Sequence, residues 1–134
     1  MPILDVEIVL RPGESLDAGL ARDLADRAAL VFATPPGRTW VKVRTLALEH
    51  YAENGGGPPP GIYPVFVSVL KANLPPPDRL AIEVAELTRA VARACGRPGE
   101  NVHVLYEPEA AGRVSFGGKL VPGRRQASPD QSQS

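Results

Sequence analysis

The sequence predicts an α+β domain: two βαβ units in tandem, joined into a four-stranded sheet with both helices on one face. Three observations carry this. A strand–helix–strand pattern fills residues 1–52, and a glycine- and proline-rich run, "ENGGGPPPG" at 53–61, interrupts it. The pattern then restarts over 62–121, with its landmarks at nearly the same spacing. Pro2 recurs as Pro64, and Val41 and Val43 recur as Val102 and Val104, in register to one residue. Such agreement reads as an internal duplication.

The first strand is "ILDVEIVL" at 3–10. Leu4, Val6, Ile8 and Leu10 share one face, and Asp5 and Glu7 lie on the other. "RPGES" turns the chain, and Ser15 is placed to cap a helix running to about Ala33. Leu16, Leu20, Leu24 and Val31 form its apolar stripe. "TPPGR" stops that helix, and "TWVKVRTLAL" follows as a strand in which Val41 and Val43 alternate with Lys42 and Arg44. In the second unit "IYPVFVSVL" is the strand, and Asp78 is placed to cap a helix carrying Leu80, Val84, Leu87 and Val91. Gly96 ends that helix, and "ENVHVLYEP" is the fourth strand. "GRVSFGGKLV" at 112–121 has short strand-like pieces around a glycine pair. Residues 122–134 lack the apolar surface that offsets ordering and are expected to be a flexible tail.

Right-handed crossovers make the strands within each unit parallel and put the helices on one sheet face. The opposite face then carries Asp5, Glu7, Lys42, Arg44, Ser68 and His103, together with Ile3, Val9, Phe66 and Leu70. A mixed, partly apolar face of this kind predicts contact with further subunits.

The 15 Lys and Arg balance the 15 Asp and Glu, so the charge gives no footprint for nucleic acid or an anionic membrane. No apolar run approaches a membrane span, no secretory signal is evident, and the single cysteine makes no internal disulfide. The expected location is the cytoplasm.

Pro2 admits two readings on the residues alone. Proline lacks an amide hydrogen and suits the first residue of a strand. Removal of Met1 would also turn its ring nitrogen into a free secondary amine that can carry a proton.

The leading proline, the duplicated βαβ unit and the closing "NVHVLYEPEAAGRVSFGGKL" together resemble the tautomerase superfamily over residues 2–121. The closing segment is similar to the strand and hairpin of 4-oxalocrotonate tautomerase. The length resembles the fused members, such as malonate semialdehyde decarboxylase, the 3-chloroacrylic acid dehalogenases and macrophage migration inhibitory factor. The resemblance implies a homotrimer with sheets inward and helices outside, no cofactor, and a small carboxylate substrate bound near a subunit boundary. It implies that Pro2 moves a proton between carbon and oxygen of a 2-oxo acid or its enol. A base of this kind works best with a pKa near the working pH. An α-amine starts at about 7.7–8.0, and an apolar pocket with neighbouring cations lowers it.

Carried over residue by residue, the resemblance gives Pro2 as the catalytic position and Lys71, Arg11 and Lys42 as carboxylate-binding cations. Phe116 is its apolar wall. Lys71 has no second basic partner in "KANLPPP", and a lysine lacks the two-pronged geometry of arginine. A decarboxylase, hydratase or dehalogenase, with Pro2 kept protonated, is therefore the alternative rather than the leading expectation. A catalytically silent trimeric binding module is the third. Bland readings stand beside these: Lys71 and Arg11 as solvated loop charges, Lys42 paired with Asp5 or Glu7, and Phe116 as subunit packing. His50 and His103 lack metal-ligand spacing, and Cys95 is expected to be packed rather than nucleophilic. "GRVSFGGKL" is not a phosphate loop, because Leu120 follows Lys119 and no helix follows.

Overall fold

The structure, a computed structural model, describes residues 1–123; the expected flexible tail lies almost wholly outside them. Strand β1 (Ile3–Val9) leads to helix α1 (Leu20–Phe32) and strand β2 (Trp40–Leu46). Strand β3 (Val65–Leu70), helix α2 (Pro77–Cys95) and strand β4 (Val102–Tyr106) repeat the motif. A hairpin of β5 (Ser115–Phe116) and β6 (Lys119–Leu120) follows. The sheet order is β2-β1-β3-β4. Each βαβ pair is parallel, and the two units meet through the antiparallel pair β1–β3.

Alternation along the strands builds the core as expected. Leu4, Val6 and Ile8 of β1 and Val65, Val67 and Val69 of β3 are buried against Leu20, Leu24 and Ala28 of α1 and Leu87, Val91 and Cys95 of α2. Both helices thus cover one face, and Trp40, Lys42 and Leu105 remain exposed on the other or at its edges.

The register refines the duplication. Leu4 pairs with Val41 and Val65 with Val102, so the second unit repeats the strand pairing of the first at an offset of 61 positions. On that offset Pro64 is the counterpart of Ile3, and Tyr63 that of Pro2. Pro64 is still a buried strand-opening proline, and its carbonyl accepts the Val9 amide at 3.0 Å.

Three local expectations change. Helix α1 starts at Leu20, not after Ser15, and its N-cap Gly19 makes no side-chain cap. Glu14 is drawn to Arg97, and the Asp17 side chain accepts the Gly19 amide at 3.2 Å, so the chain turns before the helix can begin. Helix α2 opens on Pro77 after Pro76, which places Asp78 inside the first turn. There it faces the positive end of the helix dipole rather than capping it. Gly96 does close α2, at φ 66°. Finally Val9, expected on the bare face, is fully buried. The connection from β2 to β3 must cross the end of β1, and Tyr51 in it packs on Phe66 of the outer face with ring centroids 5.8 Å apart.

Candidate functional site

The antiparallel meeting of the two units brings the start of β1 to the end of β3, with Ile3 opposite Leu70. Parallel pairing on the other side sets the start of β2 against it, where the Trp40 amide donates to the Pro2 carbonyl at 3.0 Å. Pro2 is therefore buried and held between the residue before β2 and the residue after β3. The C-terminal hairpin closes this end of the sheet. Ala110 and Ala111 donate their amides to Lys71 and Ala72, each at 3.0 Å. Phe116 meets Trp40 edge-on, with centroids 5.3 Å apart and rings at 87°.

Beneath the hairpin lies a hollow of about 170 Å³, lined by Met1, Leu70, Ala72, Ala110, Val114, Phe116 and Val121. Among the described residues no charged or polar side chain lines it. The terminal amine, here on Met1, has its pKa lowered from 8.0 by burial first, then by the positive charges of Lys71 and Arg38. An amine that leaves water beside two cations is easier to deprotonate.

Of the residues expected to act together, Pro2, Lys71 and Phe116 converge here. Lys71 is not a free cation, however. Its Nζ lies 2.9 Å from Glu83 Oε1 and 4.8 Å from the Phe32 ring centroid. The other carboxylate oxygen of Glu83 accepts the Tyr106 hydroxyl at 2.7 Å. Burial, then that hydrogen bond, pushes the Tyr106 phenol well above its ordinary value. Lys42 sits two residues along β2 from Trp40, 68% exposed, and pairs with Asp5 at 3.2 Å across the outer face. Arg11 lies elsewhere. It follows the far end of β1, at least roughly 20 Å from Pro2 for a strand of this length. Its guanidinium binds Glu14 at 3.2 Å and the Gly96 carbonyl at 2.8 Å, and faces the Tyr63 ring. Within one protomer Arg11 and Pro2 do not share a site.

Arg38, Glu83 and Tyr106 belong to this cluster and were not anticipated. A signal for Arg38 was present: in a parallel pair, the residues just before the second strand lie beside those just before the first. Glu83 gave none, since a glutamate on a half-buried helix face reads as solvated.

Among the described residues no group of three or more His, Cys, Asp and Glu could hold a metal ion. His103 packs instead against Phe66, with centroids 5.5 Å apart. Cys95 is buried in the core, and burial pushes its thiol up to about 11. Native protein at pH 8 is expected to resist iodoacetamide for hours and to react at once in denaturant, as read by intact mass. Rapid native alkylation would show the thiol to be reachable.

No family model matches the sequence, and no curated protein matches it. Solved structures do. Macrophage migration inhibitory factor from Oncomelania hupensis superposes with a TM-score of 0.69 at 16% identity, covering 99% of this chain and 91% of that one. A fused 4-OT, a symmetric trimer, gives 0.68 at 17% identity, covering 89% and 94%. FG41 malonate semialdehyde decarboxylase, inhibited by 3-bromopropiolate, gives 0.66 at 16% identity over 98% and 97%. The chain has the tautomerase fold. At these identities the likeness is one of architecture, and within the tautomerase fold the chemistry has to be argued from the side chains at the head of β1. No helix among the described residues is long and apolar enough to cross a membrane.

Proposed function

We propose that this chain is a cofactor-independent tautomerase acting on a small 2-oxo acid or its enol, with Pro2 as the proton carrier once Met1 is removed. The observation that supports this is the setting of the terminal amine, carried here by Met1 next to Pro2: partly withdrawn from water, its pKa lowered by Lys71 and Arg38, with Met1 lining an apolar hollow. Neutral Pro2 takes the proton from the enol hydroxyl as the C2–O bond becomes a carbonyl. The resulting prolinium gives a proton to C3, and the amine returns to neutrality. A base whose pKa is lowered toward the working pH is available for the first step and acidic enough for the second.

The protein assembles, in this reading, as a homotrimer through the outer sheet face. Trp40 at 43%, Leu105 at 63% and Leu120 at 59% exposure are large apolar groups left uncovered in the single chain. Burying them favours association, and the fused 4-OT of the same fold is a symmetric trimer.

Purified protein with Pro2 verified as its first residue is expected to ketonise phenylenolpyruvate or 2-hydroxymuconate well above the buffer rate. An ultraviolet assay that finds only the buffer rate would refute the proposal. Turnover of malonate semialdehyde with negligible ketonisation would instead favour decarboxylation by the same residue.

A further inference from the structure

The helix layer has a surface that neither the head of β1 nor the outer sheet face uses. Helices α1 and α2 run antiparallel, because β1 and β3 do and each helix crosses back over its own unit. Between them lies a groove of about 260 Å³, lined by Arg27, Leu30 and Val31 of α1 and by Glu86, Arg89 and Arg93 of α2. Ile82, Glu86, Arg89 and Arg93 fall at i, i+4, i+7 and i+11, so they make one stripe of α2. Antiparallel packing sets Leu30, late in α1, toward the early turns of α2, where Ile82 lies. Leu30 is 84% exposed and Ile82 55%. Among the described residues they are the two exposed large apolar side chains that a trimer through the outer sheet face leaves uncovered.

The rest of the groove is basic. Arg89 and Arg93 stand one turn apart with like charge, a spacing that costs a helix stability. Both are exposed, and their side chains make no hydrogen bond or ion pair among the described residues. Arg27 engages only its Nε, which donates to both Asp23 carboxylate oxygens at 3.0 and 3.1 Å. Its two terminal nitrogens have no partner among the described residues. Three guanidinium groups thus face the groove beside a single carboxylate, Glu86. Guanidinium forks suit carboxylates, and the apolar end suits a buried aliphatic side chain.

We propose that this groove docks an acidic amphipathic helix of another protein, its apolar residues on Leu30 and Ile82 and its carboxylates on Arg27, Arg89 and Arg93. Such a helix presents both kinds of anchor on one face at i, i+3, i+4 and i+7. A second copy docking by the same surface would set three arginines against three. A phosphate-covered membrane would repel Glu86 and gain nothing from the order of apolar end and basic end. The proposal does not depend on the chemistry at Pro2.

The probe is a capped, fluorescein-labelled alanine-based helix of about five turns, with two leucines near one end and three glutamates continuing the same face. Anisotropy in low salt is expected to show saturable binding to the full chain with Kd below about 1 mM. Its glutamine analogue should bind at least about threefold more weakly. The double variant Arg89→Ala, Arg93→Ala should weaken binding about 3–20-fold, and about 1 M salt should abolish that difference. Leu30→Ala should weaken binding about 5–30-fold in low salt. These side chains are exposed, so the melting temperatures should stay within about 3 °C of wild type. No saturable binding below about 1 mM, equal binding of the glutamine analogue, or an unchanged Kd in both variants would each overturn the proposal. Arginine-dependent binding to phosphatidylserine vesicles that the peptide does not displace would assign the groove to a membrane instead. Self-association lost in the double variant, read by sedimentation, would assign it to a second copy; either result overturns the peptide.

Discussion

Protein that keeps Met1 is expected to lose about 10²–10⁴-fold in kcat/KM relative to trimmed protein, the range for removing a general acid–base group. The cause is covalent. With Met1 in place the Pro2 nitrogen is an amide, which neither accepts nor delivers a proton near neutrality, and Met1 forms part of the wall of the hollow. Two preparations distinguished by intact mass, assayed on phenylenolpyruvate, test this. Equal rates would remove Pro2 from the mechanism. Trimmed Pro2→Ala retains a primary amine, so it should show a reduced but measurable rate. In trimmed wild type, activity should rise with pH through the lowered pKa of the amine, because below that value the base is protonated. Burial and the positive charges of Lys71 and Arg38 lower the pKa of the Met1 amine, and the same surroundings are expected to lower that of the Pro2 amine once Met1 is gone.

Arg97→Ala is expected to cost about 3–5 kcal/mol, the range for breaking a buried ion pair by removing one partner. The Arg97 side chain is 1% exposed and lies just beyond the end of α2. Its guanidinium grips Glu14 through two nitrogens, each at 2.7 Å. It also donates to the carbonyls of Val9 at 2.8 Å, Cys95 at 3.0 Å and Tyr63 at 3.2 Å. One side chain thereby ties the end of β1, the turn before α1, the end of α2 and the approach to β3. Alanine leaves a carboxylate and three carbonyls without that donor. A fall in melting temperature of about 10–20 °C follows for a chain of this size; a fall under about 3 °C would show the knot to be dispensable.

The same pair predicts acid sensitivity. Glu14 is held at about 2 by its hydrogen bonds to Arg97, against an ordinary 4.5. The unfolded chain therefore binds the proton first as pH falls. Stability from this pair is complete above about pH 4.5 and is lost as pH drops toward 2. Thermal melts between pH 7 and 2 should show that loss in wild type and a much flatter profile in Arg97→Ala. The exposed Arg11, 43% accessible on its own contact with Glu14, should matter far less.

Periodicity and duplication were enough to read the two βαβ units, the core faces of β1 and β3, and the Gly96 stop, because burial on one side of a strand or helix is written directly in residue order. Helix starts were less legible. Ser15 had the right chemistry for a cap, but Glu14 next to it was claimed by an arginine 83 positions away, and no local rule anticipates that. Charges at the head of β1 show the same limit. Lys71 looked free because its partner Glu83 lies on a helix that folds back over the strand, and Arg38 looked like loop punctuation until parallel pairing brought the approach to β2 alongside Met1.

By itself, then, the order of residues determined the secondary structure, the repeat, which strand faces are apolar, and the presence of a proline that can become a terminal amine. These depend on spacings of a few residues. Only the tertiary structure decided that Arg97 is buried, that Arg11 stands at the far end from Pro2, and which of the cations near that amine is already neutralised. Ion pairing and desolvation act across space within a few ångströms, and residues that close in a folded sheet are separated by dozens of positions along the chain.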